Sequence, residues 1–418
     1  MNDSFRSLIM DELNNAQQSL LNDCRRLVQV PSPNPSGDTR AIAALVKEMV
    51  QDIPGLKVES HSCEATIQNL VLRLDSGKPG KRLVFNGHLD TFPVGDESLW
   101  SYDPFGGECV DGKLYGRGAC DMKGGIASSL QVLRLLAKYR DNWQGEVVMT
   151  LAGDEESMGK RGTLYLLENV ENTTGDAMIC ADVGSPQVLR FGEKGMIWLD
   201  LFATGKASHG AHVHKGINAI ERLTEAMRRL KTVESMPVQT PDAIKAAIAK
   251  AAPVSEPLGG AGESEVLQKV TVNFGHIQGG VSPNLVADKA LLGIDIRIPV
   301  GVKVAAIESW IEEIISPLEG VGYEITRRYE ANWSNPEHEI FTIMQQHSQN
   351  QLDQPAVCNM RVGASDARLY RLFNIPTVVS GLSPHNLGGA DEYVDIQELN
   401  DLTVIHALTA FDFLNQAQ

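Results

Sequence analysis

What the chain has little of narrows the reading first. Its 418 residues hold six cysteines, Cys24, Cys63, Cys109, Cys120, Cys180 and Cys358, and no CxxC pair. Thinly scattered cysteines suit free thiols in a reducing compartment better than a disulfide framework. No run approaches the ~20 apolar residues of a membrane span. The first residues, MNDSFRSLIMDELNNAQQ, lack the apolar core of a signal peptide. A cytoplasmic, soluble protein is expected. Positive charge is also short. Lys and Arg number 37 against 53 Asp and Glu, and the net charge of −16 argues against nucleic acid or an anionic membrane as partner. Several catalytic strings are missing. There is no HExxH and no GxSxG. GDEESMGKR is one residue too long for a phosphate loop and has no Ser or Thr after its Lys. Gly116-Arg117-Gly118 is too short for a dinucleotide fingerprint.

What is present is an ordinary globular composition, hydrophobic 43% and charged 22%, in a chain long enough for two domains. Its densest chemistry lies between Lys81 and Gly125, KRLVFNGHLDTFPVGDESLWSYDPFGGECVDGKLYGRGACDMKGG. An apolar strand, Leu83-Val84-Phe85, runs into His88 and Asp90. Residues two apart in an extended segment share a face. A carboxylate beside an imidazole can fix its tautomer, as metal-bound histidines are usually supported. The local reading is half of a metal site, with Asp121 as a further ligand.

Taken in order, residues 12–30 read as a helix. A second follows, with Ile42, Leu45, Met49 and Ile53 at helical spacing. Leu70, Leu72 and Leu74 alternate as in a strand. After Asp121 the apolar positions Ile126, Leu130, Leu133 and Ala137 mark an amphipathic helix, with Asp121 where an N-cap would sit. Val147 to Ala152 reads as a buried strand ending in Gly153-Asp154-Glu155-Glu156, and Ala177 to Ala181 as another ending at Asp182. Strands alternating with helices predict an α/β sheet, with ligands beyond the carboxyl ends of its strands. Between about 193 and 330 the order becomes β-α-β-β-α-β, the split βαβ pattern of an inserted second domain. Residues 235–265, rich in Pro, Ala and Gly, read there as an insertion or long loop. The α/β texture returns from Asn335, with a helix near 337–351 and a strand at 376–381 leading to SPHNLGGADEYV. The first domain thus comprises 1–192 and 331–418.

Adjacent carboxylates such as Glu155-Glu156 repel each other unless a cation or a shared proton intervenes. Alone they read as surface charges, Asp121 as a helix cap and Asp90 as a turn residue. Together with His88 and Asp182 they suit a divalent metal with mixed nitrogen and oxygen ligands. One glutamate would bind metal while its neighbour acts as general base. His209, His212 and His214 in GKASHGAHVHKG form either a solvated loop or a second metal site. Arg297 in DIRIP forms either a strand-face ion pair or a bidentate grip on a substrate carboxylate.

GHLDTFP, GRGACDMKGG, GDEES, KASHG, the NLV…DIR segment and PHNLGGADEYV, in that order across nearly the whole chain, resemble the M20 metallopeptidases. The resemblance implies a mixed-sheet, zinc-exopeptidase-like catalytic domain with an inserted ferredoxin-like lid and dimerisation domain. It implies two divalent metals, zinc first and cobalt or manganese as alternatives, with Asp121 bridging. His88 and Asp182 would complete one metal, and Glu156 and His385 the other. Glu155 would be the base and Asp90 the support of His88. His209 would reach the partner subunit's site in a homodimer to stabilise an oxyanion, while Asn284 and Arg297 hold substrate. The expected reaction is hydrolysis of an amide bond in a small N-acyl amino acid. Carboxypeptidase or dipeptidase action is the alternative, and a non-catalytic binding protein a third reading. Two positions depart from the family pattern. Asp182 stands where deacetylase-like members commonly have Glu, and His385 lies seven residues before Glu392, with Asn386-Leu387-Gly388-Gly389-Ala390 between them.

Overall fold

The computed structural model describes residues 3–35 and 37–416. The chain forms two compact units. The first comprises residues 1–191, 333–359 and 365–418, and the second residues 192–332 and 360–364.

The first unit is built on a mixed sheet. Its strand order runs Lys57–Glu64, Ile67–Asp75, Glu146–Ala152, Arg82–His88, Ala177–Cys180, Thr377–Val379, Val188–Glu193. The outer strands Lys57–Glu64 and Ile67–Asp75 are antiparallel to their neighbours. The four central strands from Glu146–Ala152 to Thr377–Val379 run parallel. The Arg82–His88 strand is central and buried on both faces, hence its unbroken apolar run Leu83-Val84-Phe85. One face carries a cluster of Val71, Val84, Val148, Met178 and Val379 under Leu166, Ala367, Leu369 and Tyr370. On the other side lie the helices Asp3–Val28, Gly124–Lys138 and Ile396–Leu414. In the helix Arg40–Val50 the buried stripe is Ile42, Val46 and Val50, and Ile53 falls beyond its end.

The second unit has a four-stranded antiparallel sheet in the order Thr271–Gly279, Lys289–Ile298, Gly195–Thr204, Val321–Tyr329. Two helices, Ala219–Leu230 and Val304–Ile315, bury Leu223, Leu230, Ile307 and Ile311 in its core. This is the split βαβ arrangement. Residues 235–265 are not a long loop. Asp242–Gly259 is helical and buries Ile244, Ile248 and Ala251, despite Pro253 and Pro257. Ala and Ile at helical spacing outweigh prolines placed in its last two turns.

Candidate metal centre

Parallel pairing sets the site. His88 ends its strand opposite Ala152, and Asn86 lies opposite Cys180. The residues just beyond these ends are Asp90, Glu155-Glu156 and Asp182. Two overlapping triads result, His88 with Glu155 and Glu156, and His88 with Asp121 and Asp182. Within each triad the ligand atoms lie within 4.8 Å of one another. His88 Nδ1 is 2.9 Å from the backbone carbonyl of Asp90. A carbonyl only accepts, so Nδ1 donates its proton there, and Nε2, 3.1 Å from Asp121 Oδ1, is the ring nitrogen that faces the carboxylates. Asp90 supports His88 through its main-chain carbonyl and, at 3.6 Å from Nδ1, through its carboxylate Oδ1. The same carboxylate accepts from the backbone N–H of Glu155 and of Glu156, each at 3.1 Å, and from Asn34 Nδ2 at 2.9 Å.

Asp121 is not a helix cap. The helix starts at Gly124, and Asp121 sits before it in an extended conformation, φ −123° and ψ 91°, with a cis peptide to Met122. Glu392 holds it there. Glu392 Oε1 accepts from the N–H groups of Cys120 (3.1 Å) and Asp121 (3.3 Å), while Oε2 pairs with Arg117 Nη1 at 2.5 Å. Arg117 Nη2 donates to the carbonyls of Gly388 (3.0 Å) and Gly389 (2.8 Å). Both charges are 1% exposed. Lys123, fully buried, donates to Val30 O, and burial brings its pKa down to about 7.

Like charges dominate the centre. Burial, then the charge of Asp121 and of Glu155, pushes the Glu156 carboxyl up to about 10. Burial, with Asp366 and Asp182 adding to it, raises Glu155 well above the carboxylate range against the opposing charges of His88 and Arg368. For His88 burial disfavours the imidazolium, yet Asp121, Asp90 and Glu155 outweigh it and hold its pKa well above the ordinary value. Glu156 Oε1 is buried without a hydrogen-bond partner among the described residues. An imidazole nitrogen and four converging carboxylates, one of them with an orphaned buried oxygen, are a donor set that fits divalent cations.

His385 is in neither triad. Its ring stacks on Tyr393, centroids 4.4 Å apart, and Nε2 lies 4.0 Å from Glu398 Oε2. In the second unit, His209 and Asn284 are brought together. Gly210 N donates to Asn284 O at 2.7 Å, and His209 bridges to Leu285. Arg297 takes the ion-pair alternative, with Nε 3.0 Å and Nη2 2.9 Å from Asp295 Oδ2. His209, His212 and His214 have ring centroids 6.3 and 5.8 Å apart and form no ligand cluster among the described residues. Arg117, Arg368 and Asp366 escape sequence reasoning, because their partners are distant in the chain. Among the described residues no helix is long and apolar enough to cross a membrane.

The model of peptidase family M20/M25/M40 matches residues 84–412. A succinyl-diaminopimelate desuccinylase of Rhodospirillum centenum is 32% identical over 49% of this chain and 55% of its own length. That match therefore spans about half of the relative. A desuccinylase of Methylorubrum populi is 26% identical over 94% of this chain and 97% of its own. Human carnosine dipeptidase 1 shares the fold with a TM-score of 0.78 and 14% identity, over 98% of this chain and 99% of that one. A dinuclear metal-binding peptidase of Bacillus subtilis, 15% identical, aligns over 97% of this chain and 100% of its own at a TM-score of 0.65. The chain belongs to peptidase family M20/M25/M40 and is a metallohydrolase.

Proposed function

We propose that the protein hydrolyses the amide bond of an N-acyl amino acid with two divalent cations, most simply zinc. The carrying observation is the pair of triads that meet at His88. In this reading His88, Asp121 and Asp182 would hold one metal, and Asp121 and Glu156 the other, with His385 as its further ligand on the family pattern. Bound divalent cations lower the pKa of water and polarise a carbonyl. Glu155, on a turn that Asp90 holds, would take the proton of the attacking water on its carboxylate and deliver it to the leaving nitrogen. His209 donates to the tetrahedral oxyanion, and Asn284 and Arg297 hold the substrate. For Arg297 this requires a substrate carboxylate to compete with Asp295. A homodimer in the cytoplasm, with the second unit as lid and dimerisation domain, completes the reading.

Asp182 favours a second reading, a dipeptidase or carboxypeptidase, since deacetylase-like members commonly have Glu there. One experiment separates the two. The chelated protein is reloaded with zinc, cobalt or manganese and offered N-succinyl and N-acetyl amino acids beside dipeptides and tripeptides. Metal-restored release from the N-acyl amino acids supports deacylation, and release from peptides alone supports the second reading. Neither bound metal nor metal-restored hydrolysis overturns both. His209→Ala is expected to lower kcat while leaving metal content unchanged. Loss of metal in that variant contradicts its oxyanion role.

A further inference from the structure

Glu155 and Glu156 lie on a single turn, Asp154 to Gly159, closed by hydrogen bonds from Ser157 N, Met158 N and Gly159 N to the carbonyls of Asp154 and Glu155. The turn closes with Met158 at φ 83° and ψ 19°. A residue with a side chain disfavours that left-handed region, where its Cβ crowds the backbone. Beyond these bonds of the turn itself, two contacts from distant parts of the chain hold it there. At its front edge Asp90 accepts both glutamate N–H groups. At its back edge Arg368 Nη2 donates to the carbonyl of Met158 at 2.6 Å. The guanidinium is 4% exposed, and its Nη1 is fixed by the carbonyl of Ser365 at 2.6 Å.

Arg368 is itself anchored through its neighbours. Asp366 accepts from Thr163 Oγ1 at 2.6 Å, and Thr163 Oγ1 accepts from Asn86 Nδ2 at 3.2 Å. Asn86 lies two residues before His88 on the same strand. A Cβ at Gly159, φ 71°, would collide with Asp366 Oδ1, so the turn seats directly on this carboxylate. The same framework thus fixes the strand that ends in His88 and the turn that carries both glutamates. A forked guanidinium reaches two carbonyls at once, which an ammonium on a flexible stem does less well.

We infer that Arg368 is a positioning residue for the two glutamates, holding the carbonyl of Met158 so that the left-handed turn presents Glu155 and Glu156 to the metal centre before metal arrives. This rests on the reading of Glu156 as ligand and Glu155 as base. The test uses the full chain with Arg368→Ala and Arg368→Lys, each alone and with Met158→Gly. Glycine enters the left-handed region freely, so it makes the turn independent of Arg368. Zinc affinity of the chelated protein is measured by competition with a chromophoric chelator, and amide hydrogen exchange of residues 154–159 is followed without metal. Arg368→Ala is expected to weaken zinc binding about tenfold and to speed exchange across the turn, with Arg368→Lys intermediate. Adding Met158→Gly recovers most of the affinity. Where Arg368→Ala does not fold, the Arg368→Lys pair is read in the same way. Affinity and exchange within twofold of the parent in a folded variant overturn the inference, as does a loss that Met158→Gly leaves undiminished. A parent chain that binds no zinc overturns both this and the metal reading. Full turnover in Glu155→Gln removes only the base assignment and leaves the zinc result standing.

Discussion

Glu155 and Glu156 share one turn but not one environment. Beyond burial, Glu156 is raised chiefly by the charge of Asp121, whereas Glu155 is raised by Asp366 and Asp182 and lowered by His88 and Arg368. The charge of the proposed bridging carboxylate thus weighs most on Glu156 after burial, which suits Glu156 to the ligand role and leaves the base role to Glu155. Glu155→Gln keeps the size and removes the proton acceptor. Its kcat is expected to fall by about 10²- to 10⁴-fold, with metal content equal to the parent's by elemental analysis. Asp121→Ala is expected to do the reverse of a base variant and empty both metal positions. One retained metal per chain in Asp121→Ala would contradict bridging, and near-normal turnover in Glu155→Gln would contradict the base.

Between elements, the legible part was what neighbouring residues determine. A buried apolar run ending in a His or an acid marks a parallel strand end, so His88, Glu155 and Asp182 could be placed on one sheet edge from spacing alone. Asp121 could not, because a helix cap and a ligand on a kinked approach have the same local sequence. Glu392 makes the difference, 271 residues away. The Arg117–Glu392 pair was invisible for the same reason, and Pro253 and Pro257 concealed a helix whose core contacts only tertiary packing supplies. That buried pair ties the Gly388–Gly389 loop to the Asp121 approach. Glu392→Ala leaves the buried Arg117 charge without its counter-charge, a change that costs about 3–5 kcal/mol. We expect a lowered urea midpoint and weaker zinc binding together. Unchanged zinc affinity in a destabilised but folded variant would show that the pair holds only the fold.

At the scale of the whole molecule, a centre that gathers like charges makes stability depend on what neutralises them. Without metal, burial and neighbouring acids raise Glu156 from an ordinary 4.5 to about 10. The folded chain then keeps a proton that the unfolded chain releases above 4.5, so metal-free stability falls as pH rises from 4.5 towards 10. Other buried groups act on the same axis. Burial holds His406 down to about 3, so its imidazole stays neutral in the folded chain and stability is lost as pH falls below 6.5. Burial likewise brings Lys194 down to about 7 from 10.5, and stability rises with pH between those values. These two lie outside the metal triads. They contribute equally with and without metal, and they cancel when the two states are compared. The difference in Tm between zinc-loaded and chelated protein therefore isolates the centre. A ligand at a hundred times its Kd adds about 2.7 kcal/mol, which for a chain of this size amounts to roughly 3 °C. The difference should reach that size near pH 7.5 and shrink steadily towards pH 5, where protons replace the cations. Scanning calorimetry of both forms across that range checks it. A difference that stays constant with pH would mean that zinc stabilises the protein elsewhere than at Glu155, Glu156 and Asp121.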